Sequence, residues 1–285
     1  MNVLATLRPP GEAWAELGDI EIGQLAPRDD VEILIVANEP VDLDWFPALR
    51  LIANFSVGYD RIDIEACRRR GVAVSNTPGV LDAAVADLTI GLLLAVRRRI
   101  VEGDIAVRAG RWEKGWSASP FLGREVGGSV LGIVGFGRIG KAVARRAAGF
   151  DLEVIHTRET PLEELLGRAD IVSLHTPLNA ETTGLISRER LALLRDGATL
   201  INTARGAVVD ENALVDELES GRISAGLDVF VHEPHVPERL RGLPNVVLTP
   251  HIASATEETR AAMTRIVVDN VLAFERGEPL VTPVV

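Results

Sequence analysis

The stretch SVLGIVGFGRIGKAVARRAAGF, residues 129–150, constrains the fold of this chain more than any other. It joins an apolar strand to a segment of helical spacing through Gly135, Gly137 and Gly140, which form a G-x-G-x-x-G pattern. In a βαβ unit such glycines allow a tight turn, the approach of a pyrophosphate to the backbone and close packing of the helix on the strand. The first helical turn, with Arg138 and Ile139, presents free N–H groups to the phosphates. The stretch therefore predicts a Rossmann domain that binds a dinucleotide through these five residues.

Short apolar, β-branched runs recur along all 285 residues, and each precedes a segment of helical spacing. The first series is NVLATL, VEILIVA, LRLIANF and VAVSN; the second is SVLGIVG, LEVIHT, IVSLHT, TLINTA, ISAGLDVF and NVVLTP. This alternation predicts an α/β fold with two doubly wound parallel sheets, one in a flavodoxin-like substrate domain and one in the Rossmann cofactor domain. From the change between the series we predict a substrate domain of residues 1–96 plus 260–285 and a dinucleotide-binding domain of residues 97–259.

Two longer segments have the spacing of helices. Residues 82–110 are apolar over most of their first half and too long for an ordinary crossover, so we predict a helix that joins the domains and packs against a second subunit. Residues 256–277 have apolar residues at helical spacing, with threonines near the start and Gly277 past the end. Cys67, the only cysteine, is predicted to be a buried helix residue, and a single cysteine excludes an intrachain disulfide.

The charge balance favours a small ligand over a nucleic acid or a membrane. Thirty lysine and arginine residues against 41 acidic residues give a net charge of -11, which repels nucleic acid and anionic membrane surfaces. The longest apolar tract, residues 88–96, is too short to span a bilayer. The N-terminus lacks the basic lead of a signal peptide, and proline interrupts its apolar run. We therefore expect a cytoplasmic protein without nucleic-acid or membrane partners.

Polar clusters follow the strands of the second series, namely HTPLNAET, NTARG, DVFVHEP and TPHIAS. Ligands bind at the carboxyl ends of strands in open α/β sheets, so these clusters mark a site. In this order, and with VGYDRID and VAVSNTPGV in the first domain, they resemble the D-isomer-specific 2-hydroxyacid dehydrogenase family over nearly the whole chain. The pattern is closest to the glyoxylate and hydroxypyruvate reductases of that family. The resemblance implies hydride transfer between NAD(P)H and a small 2-keto or 2-hydroxy acid.

Three catalytic residues are implied by the resemblance: Arg205 of NTARG, Glu233 of VHEP and His251 of TPHIAS. The guanidinium fork of Arg205 can engage both the carboxylate and the carbonyl of a 2-keto acid. The imidazole of His251, with an ordinary pKa of about 6.5, suits proton exchange with the substrate oxygen. Glu233 would orient that imidazole and favour its charged form. Arg205 and His251 are therefore also expected to bind the substrate.

The same resemblance implies further contacts. The backbone N–H groups of Val57 and Gly58 are expected to hold the substrate carboxylate. The expected cofactor contacts beyond the glycine loop are Thr157, Arg158, His175, Thr176, Pro177, Thr182, Thr203, Ala204, Asp228 and Ser254. Asp228 is expected to meet the nicotinamide carboxamide, with a capping role as the alternative. His232, Glu233 and His235 have no further cluster of ligands beside them, so no metal is expected.

Arg158 stands close to the position, roughly 20 residues after the first glycine, at which an acid binds the ribose 2′-hydroxyl in NAD-specific domains. An arginine cannot accept from that hydroxyl but attracts a 2′-phosphate, and Thr157 can add a hydroxyl contact. We therefore predict that NADP is favoured over NAD. The alternative is that Glu159, the next residue, takes the ribose and leaves Arg158 on the adenine or in solvent.

Two other classes of function share this architecture. A dinucleotide-sensing corepressor would use the fold as a scaffold, and a phosphite or other acid dehydrogenase would use it on a different substrate. The three catalytic residue types favour an enzyme over the scaffold. A homodimer is expected from the resemblance and the segment at residues 82–110, and Trp116, near Trp112, is a candidate to reach the partner's site or to pack at the interface.

Overall fold

The computed structural model describes residues 1–113, 115–118 and 120–285. The chain divides into two units, Met1–Leu81 with Ser254–Val285 and Asp82–Ala253. In chain order the strands are β1 (Val3–Ala5), β2 (Glu21–Ile22), β3 (Ile33–Val36), β4 (Leu51–Asn54), β5 (Ala73–Ser75), β6 (Val130–Val134), β7 (Glu153–His156), β8 (Ile171–Leu174), β9 (Thr199–Asn202), β10 (Ser224–Leu227) and β11 (Val246–Leu248). The α-helices are α1 (Ile64–Arg70), α2 (Asp82–Arg97), α3 (Ile100–Arg108), α4 (Arg138–Ala147), α5 (Leu162–Arg168), α6 (Arg188–Ala192), α7 (Glu211–Glu219), α8 (Glu238–Arg241) and α9 (Glu257–Glu275).

The sheet of the first unit has five parallel strands in the order β2-β1-β3-β4-β5. This is the flavodoxin-like order, which confirms the fold predicted for the substrate domain. Every residue of β3 and β4 is buried, and these two strands are accordingly continuous apolar runs in the sequence. The prediction missed β2 because its two residues are exposed at the edge of the sheet and form no apolar run.

The helix α9 begins and ends at the threonine and the glycine that the sequence indicated. The hydroxyl of Thr256 accepts a hydrogen bond from the N–H of Thr259 at 3.1 Å and so caps α9. Gly277 follows the end of α9 with a φ of 69°, a left-handed conformation that glycine adopts without strain. Cys67 lies within α1 and is 1% exposed, as predicted.

The sheet of the second unit has six parallel strands in the order β11-β10-β9-β8-β6-β7. The chain runs from β6 outward to β7 and then returns to the other side of β6 to form β8. The order therefore reverses between β6 and β8, and the crevice at their carboxyl ends is the switch point at which doubly wound sheets bind ligands. The polar clusters of the sequence follow β8, β9, β10 and β11.

Residues 82–110 are two helices and not the single helix that was predicted. The break lies at Arg99, which has a φ of 53° in the left-handed region. Just before it the buried guanidinium of Arg97 donates to the carbonyl of Glu125 and, at 3.1 Å, to the hydroxyl of Ser129. These bonds fasten the end of α2 to the segment before β6, and the chain changes direction there. Helical periodicity could not show this, because apolar residues continue on both sides of the break.

The helix α2 packs within the second unit. A Cβ added to Gly226 of β10 would lie 3.0 Å from the Cβ of Leu92, so the helix and the strand approach closely because this position is glycine. The division of the structure at 81/82 and 253/254 therefore places α2 with the cofactor domain, whereas the predicted boundaries at 96/97 and 259/260 placed it with the substrate domain. Within the described ranges no helix is both long and apolar enough to cross a membrane.

Candidate active site

In the glycine loop after β6, close contacts require Gly135 and Gly140, whereas Gly137 faces open space. Gly135 has a φ of 93°, and a Cβ there would lie 2.6 Å from the carbonyl carbon of His175. A Cβ on Gly140 would lie 2.3 Å from the carbonyl oxygen of Gly135, so α4 packs tightly on the loop. A Cβ on Gly137 would meet no atom within 4 Å, and Gly137 begins α4 without a side-chain cap. The open space and the uncapped N-terminus of α4 fit a pyrophosphate, whose contacts stay a prediction.

The turn after β7 carries the residues that are expected to determine the preference between NADP and NAD. The hydroxyl of Thr157 accepts from the N–H of Gly135 at 3.0 Å, so Thr157 supports the glycine loop. The exposed guanidinium of Arg158 makes no hydrogen bond or ion pair with the described part of the chain. Glu159 is different, because its Oε2 lies 3.6 Å from Nε2 of His156. The structure thus leaves the cation available to a ligand and places the acid beside a histidine.

The loop after β8 has two threonines with different surroundings. The hydroxyl of Thr182 donates to the carbonyl of Pro177 at 2.6 Å and accepts from the N–H of Asn179 at 2.9 Å, so it stabilises the loop itself. The hydroxyl of Thr176 is buried and has no partner among the described residues. The hydroxyl of Thr176 therefore has hydrogen-bonding capacity left for a cofactor. The cofactor contacts expected of Thr176 and of Thr182 both remain predictions.

The imidazole of His175 is held in its neutral form. Burial lowers the pKa of His175 to about 4, and its Nε2 lies 2.7 Å from the hydroxyl of Ser173. A pKa that is lower in the folded than in the unfolded chain means that the unfolded chain binds more protons between about pH 4 and the ordinary value of about 6.5. The contribution of His175 to the free energy of unfolding is therefore fully present above about pH 6.5 and is lost as the pH falls toward about 4.

We expect the free energy of unfolding to fall by at most about 1.4 kcal/mol per pH unit below pH 6.5 on account of His175. Urea unfolding of the wild type and of His175→Gln between pH 6.5 and 5 measures this slope, because glutamine does not titrate. Equal slopes for the two proteins would contradict the assignment, and His235→Gln, an exposed histidine, serves as the control.

Arg205 lies in a loop that is fixed by its neighbours. Asn202, the last residue of β9 and 2% exposed, donates to the carbonyl of Arg205 at 2.9 Å and accepts from the N–H of Ala204 at 3.0 Å. A Cβ on Gly206 would lie 2.1 Å from the carbonyl carbon of Phe230, so glycine allows this loop to contact the loop after β10. The buried hydroxyl of Thr203 lies 3.0 Å from that of Thr89 and serves the packing of α2. These contacts set the position of the Arg205 backbone.

Glu233 and His251 form a hydrogen-bonded pair within the second unit. Nδ1 of His251 lies 2.8 Å from Oε2 of Glu233, and Oε1 of Glu233 accepts from the N–H of Phe230 at 3.0 Å. Burial raises the pKa of Glu233, but the hydrogen bonds from His251 and Phe230 and the charges of His251 and Arg205 outweigh it, so the pKa is lowered overall. An ionised Glu233 can therefore accept a hydrogen bond from Nδ1–H of His251, which leaves Nε2 to exchange a proton with a ligand.

The backbone at His251 is held in an uncommon conformation. Its φ is 53°, a left-handed value that costs energy for a residue other than glycine. The buried carboxylate of Asp228 accepts from the N–H groups of Ile252 and Ala253 at 2.8 and 2.9 Å and from the hydroxyl of Thr249 at 2.6 Å. Asp228 thus caps the loop that carries His251, which is the alternative role the sequence left open. Its contact with the nicotinamide stays a prediction.

In the first unit the loop after β4 carries the N–H groups of Val57 and Gly58, whose carbonyls are held by two asparagines. Asn54 donates to the carbonyl of Gly58 at 2.8 Å, and Asn76 donates to the carbonyl of Val57 at 2.9 Å. The N–H groups of Val57 and Gly58 donate to no acceptor in the described part of the chain. With both carbonyls fixed, these two N–H groups remain available as donors, and their contact with a substrate carboxylate stays a prediction.

Two asparagines that the sequence patterns did not reveal hold these loops. Asn54 and Asn202 are the last residues of β4 and β9, both are buried, and each uses its amide as donor and acceptor within its surrounding loops. An asparagine at the carboxyl end of a buried strand is the signal that could have found them. Ser254 begins the second segment of the first unit, where its carbonyl accepts from the N–H of Thr256, and its cofactor contact stays a prediction.

The segment after α3 carries the two candidate tryptophans on the surface. Trp116 is 87% exposed, and the indole of Trp112 donates to the carbonyl of Gly115 at 2.8 Å. A role for Trp116 in a partner's site stays a prediction. Leaving aside positions 114 and 119, no group of three or more histidine, cysteine or acidic side chains is placed to hold a metal ion.

Comparison with known proteins places this geometry in a family. The sequence profile of the D-isomer specific 2-hydroxyacid dehydrogenase NAD binding domain matches residues 90–253. The glyoxylate reductase of Pyrococcus furiosus is 46% identical over 290 residues, covering 94% of this chain and 86% of that protein. The crystal structure of the TT0316 protein from Thermus thermophilus superposes with a TM-score of 0.92 at 44% identity and covers 100% of both chains. The NADPH-dependent glyoxylate/hydroxypyruvate reductase of Sinorhizobium meliloti, solved with NADP and malonate, superposes with a TM-score of 0.86 at 37% identity, covering 99% of this chain and 96% of that one.

Proposed function

The chain belongs to the D-isomer-specific 2-hydroxyacid dehydrogenase family, and we propose that it reduces a small 2-keto acid such as glyoxylate or hydroxypyruvate with NAD(P)H. The observation that carries this proposal is the 2.8 Å bond between Nδ1 of His251 and Glu233, which prepares Nε2 as a proton donor. The names of the relatives from Pyrococcus furiosus and Sinorhizobium meliloti support the substrate class.

The proton step follows from the His251–Glu233 pair. A nicotinamide cofactor held at the glycine loop would supply a hydride to the carbonyl carbon of the substrate, and the carbonyl oxygen would then need a proton. We assign the proton that this oxygen requires to Nε2 of His251. The ionised Glu233 stabilises the imidazolium before the transfer and keeps the ring oriented through Nδ1. Because Glu233 is itself held by the N–H of Phe230, the ring of His251 has a fixed direction.

Arg205 is assigned to binding and polarising the substrate. Its planar guanidinium can donate to the carboxylate and the carbonyl of a 2-keto acid together. Asn202 and Gly206 fix the loop that carries it. In the first unit, the N–H groups of Val57 and Gly58 are assigned to a carboxylate oxygen, because they are donors left unpaired in the described part of that loop.

A reductase panel tests the proposed function. Glyoxylate, hydroxypyruvate, pyruvate and phenylpyruvate are each assayed with NADH and with NADPH by the loss of cofactor absorbance. We expect the highest kcat/KM with glyoxylate or hydroxypyruvate. Tight nucleotide binding without turnover of any of the four acids would contradict the enzyme and favour the dinucleotide-sensing scaffold instead.

For the cofactor we propose a preference for NADP over NAD. Arg158 supports it, because its guanidinium has no partner among the described residues and an ionic hydrogen bond to a phosphate contributes about 1.5 to 3 kcal/mol. Glu159, the rival residue, lies 3.6 Å from His156. The NADP complex of the Sinorhizobium meliloti relative agrees with this choice.

Arg158→Asp is expected to lower the ratio of kcat/KM with NADPH to kcat/KM with NADH by roughly tenfold to hundredfold. The 2′-phosphate loses its ionic partner in this variant and meets a carboxylate instead. Steady-state kinetics with both cofactors measures the ratio. Arg145→Asp, at an exposed position of α4 away from the turn, is the matched control and should leave the ratio unchanged. A wild type that strongly prefers NADH would refute the proposed preference.

We propose that the protein forms a homodimer through α3. Ile100, Val101, Ile105 and Val107 are large apolar side chains that α3 leaves exposed. The charges of this helix are paired, since Asp104 lies 2.8 Å from Arg108 and Glu102 lies 2.6 Å from Arg99, just before the helix. A second copy of the same face would therefore meet apolar surface without net charge, as in homodimer interfaces.

Ile105→Glu is expected to shift the protein from dimer to monomer, because an unpaired carboxylate would be buried in the interface. Light scattering coupled to size exclusion measures the mass. Leu193→Glu is the matched control, since Leu193 is 43% exposed and Ile105 is 52% exposed. A wild type that is monomeric at micromolar concentration would overturn the proposal.

A further inference from the structure

The turn after β7 places two opposite charges next to each other where the ribose is expected. The N–H groups of Glu159 and Thr160 both donate to the carbonyl of His156, at 3.1 and 3.0 Å, which makes the turn tight. Arg158 and Glu159 are neighbours on it and both are exposed. An arginine binds a 2′-phosphate and a glutamate accepts from a 2′-hydroxyl. Cofactor choice therefore depends on which of the two side chains is directed to the ribose.

The ring of His156 is fixed on one face and at one nitrogen. It stacks on the ring of Phe136, with centroids 3.7 Å apart and planes inclined by 20°, and Phe136 lies between the first two glycines of the glycine loop. Nδ1 of His156 is buried and has no hydrogen-bond partner in the described residues. A buried N–H without an acceptor is costlier than a buried unprotonated nitrogen, so the neutral ring carries its proton on Nε2.

Nε2 of His156 lies near the carboxylate of Glu159, at ion-pair distance and not at hydrogen-bond distance. The distance from Nε2 to Oε2 of Glu159 is 3.6 Å, and the imidazole side chain is only 13% exposed whereas the carboxylate is 80% exposed. The histidine is the fixed partner and the glutamate is the movable one. An N–H close to a carboxylate attracts it electrostatically.

We propose that His156 is a positioning residue for cofactor choice, since it holds the Glu159 carboxylate and leaves the ribose 2′ group to Arg158. The inference rests on the proposed preference for NADP. Without His156, Glu159 is free to accept from the 2′-hydroxyl of NADH and to repel the 2′-phosphate of NADPH. The selectivity of the turn then comes from three residues and not from the arginine alone.

A double-mutant cycle tests the inference. His156→Phe keeps an aromatic ring to stack on Phe136 but removes Nε2, and Glu159→Gln removes the carboxylate charge. The readout is the ratio of kcat/KM with NADPH to kcat/KM with NADH. We expect the ratio to fall at least threefold in His156→Phe, to stay level or rise in Glu159→Gln, and to equal the Glu159→Gln value in the double variant.

The ratio is taken within each protein, so a partial loss of folded protein cancels. His156→Gln, whose amide N–H can replace Nε2, is expected to retain the wild-type ratio more closely than His156→Phe does, although it loses the ring. An unchanged ratio in His156→Phe, or an equal fall with and without the Glu159 carboxylate, overturns the inference while the NADP preference of the wild type stands. A wild type that prefers NADH refutes the proposed preference itself and, with it, the inference.

Discussion

Replacing His251 with alanine is expected to lower kcat by roughly 10²-fold to 10⁴-fold, the usual contribution of a positioned general acid. The alkoxide that forms from a 2-keto acid would have to take its proton from water. The backbone of the loop is held by Asp228 through N–H groups that the substitution retains, so the fold of the loop should persist. Stopped-flow single-turnover measurement with saturating cofactor reports the chemical step directly.

Nucleotide binding separates the loss of a proton donor from the loss of a folded site. The dissociation constant of the nucleotide, measured by calorimetry, is expected to change less than about threefold in His251→Ala, because the glycine loop and the turn after β7 are untouched. His235→Ala is the matched control, since His235 is an exposed histidine in the loop after β10. If His251→Ala turns over at the wild-type rate, the proposed acid is the wrong residue.

Replacing Arg205 with alanine is expected to lower kcat/KM by roughly 10²-fold to 10⁴-fold. This range corresponds to the loss of two charge-assisted hydrogen bonds of about 1.5 to 3 kcal/mol each. Arg205→Lys should restore only part of the activity, because a point charge cannot engage a carboxylate and a carbonyl as the planar fork does. Steady-state kinetics with the best acid of the panel measures both variants.

Gly206→Ala provides a test of position that leaves the guanidinium in place. Its Cβ would lie 2.1 Å from the carbonyl carbon of Phe230, so the loop that carries Arg205 must shift. We expect kcat/KM to fall while the nucleotide still binds.

Full activity in Arg205→Ala would mean that the substrate is held by other groups, and it would remove the proposed role of this loop.

Much of the architecture follows from local patterns. The strands β3, β4, β8 and β9 are buried throughout, so their sequences are continuous apolar runs that are visible without a structure. The glycines at 135, 137 and 140 are recognisable in the same way by their fixed spacing, although close contacts in the structure require only Gly135 and Gly140. What the patterns did not show was the break at Arg99, because helical periodicity continues through it.

The sequence by itself determined the fold class, the glycine loop and the residue types of the chemistry, since these depend on spacing along the chain. Only the tertiary structure decided the contacts that spacing does not encode. These are the hydrogen bonds by which Asp228 caps the His251 loop, the hydrogen bond from Asn202 to the carbonyl of Arg205, and the placement of Glu159 beside His156. A sequence lists Arg158 and Glu159 as equals. The structure distinguishes them, because the direction of an exposed side chain depends on which groups the fold packs around it.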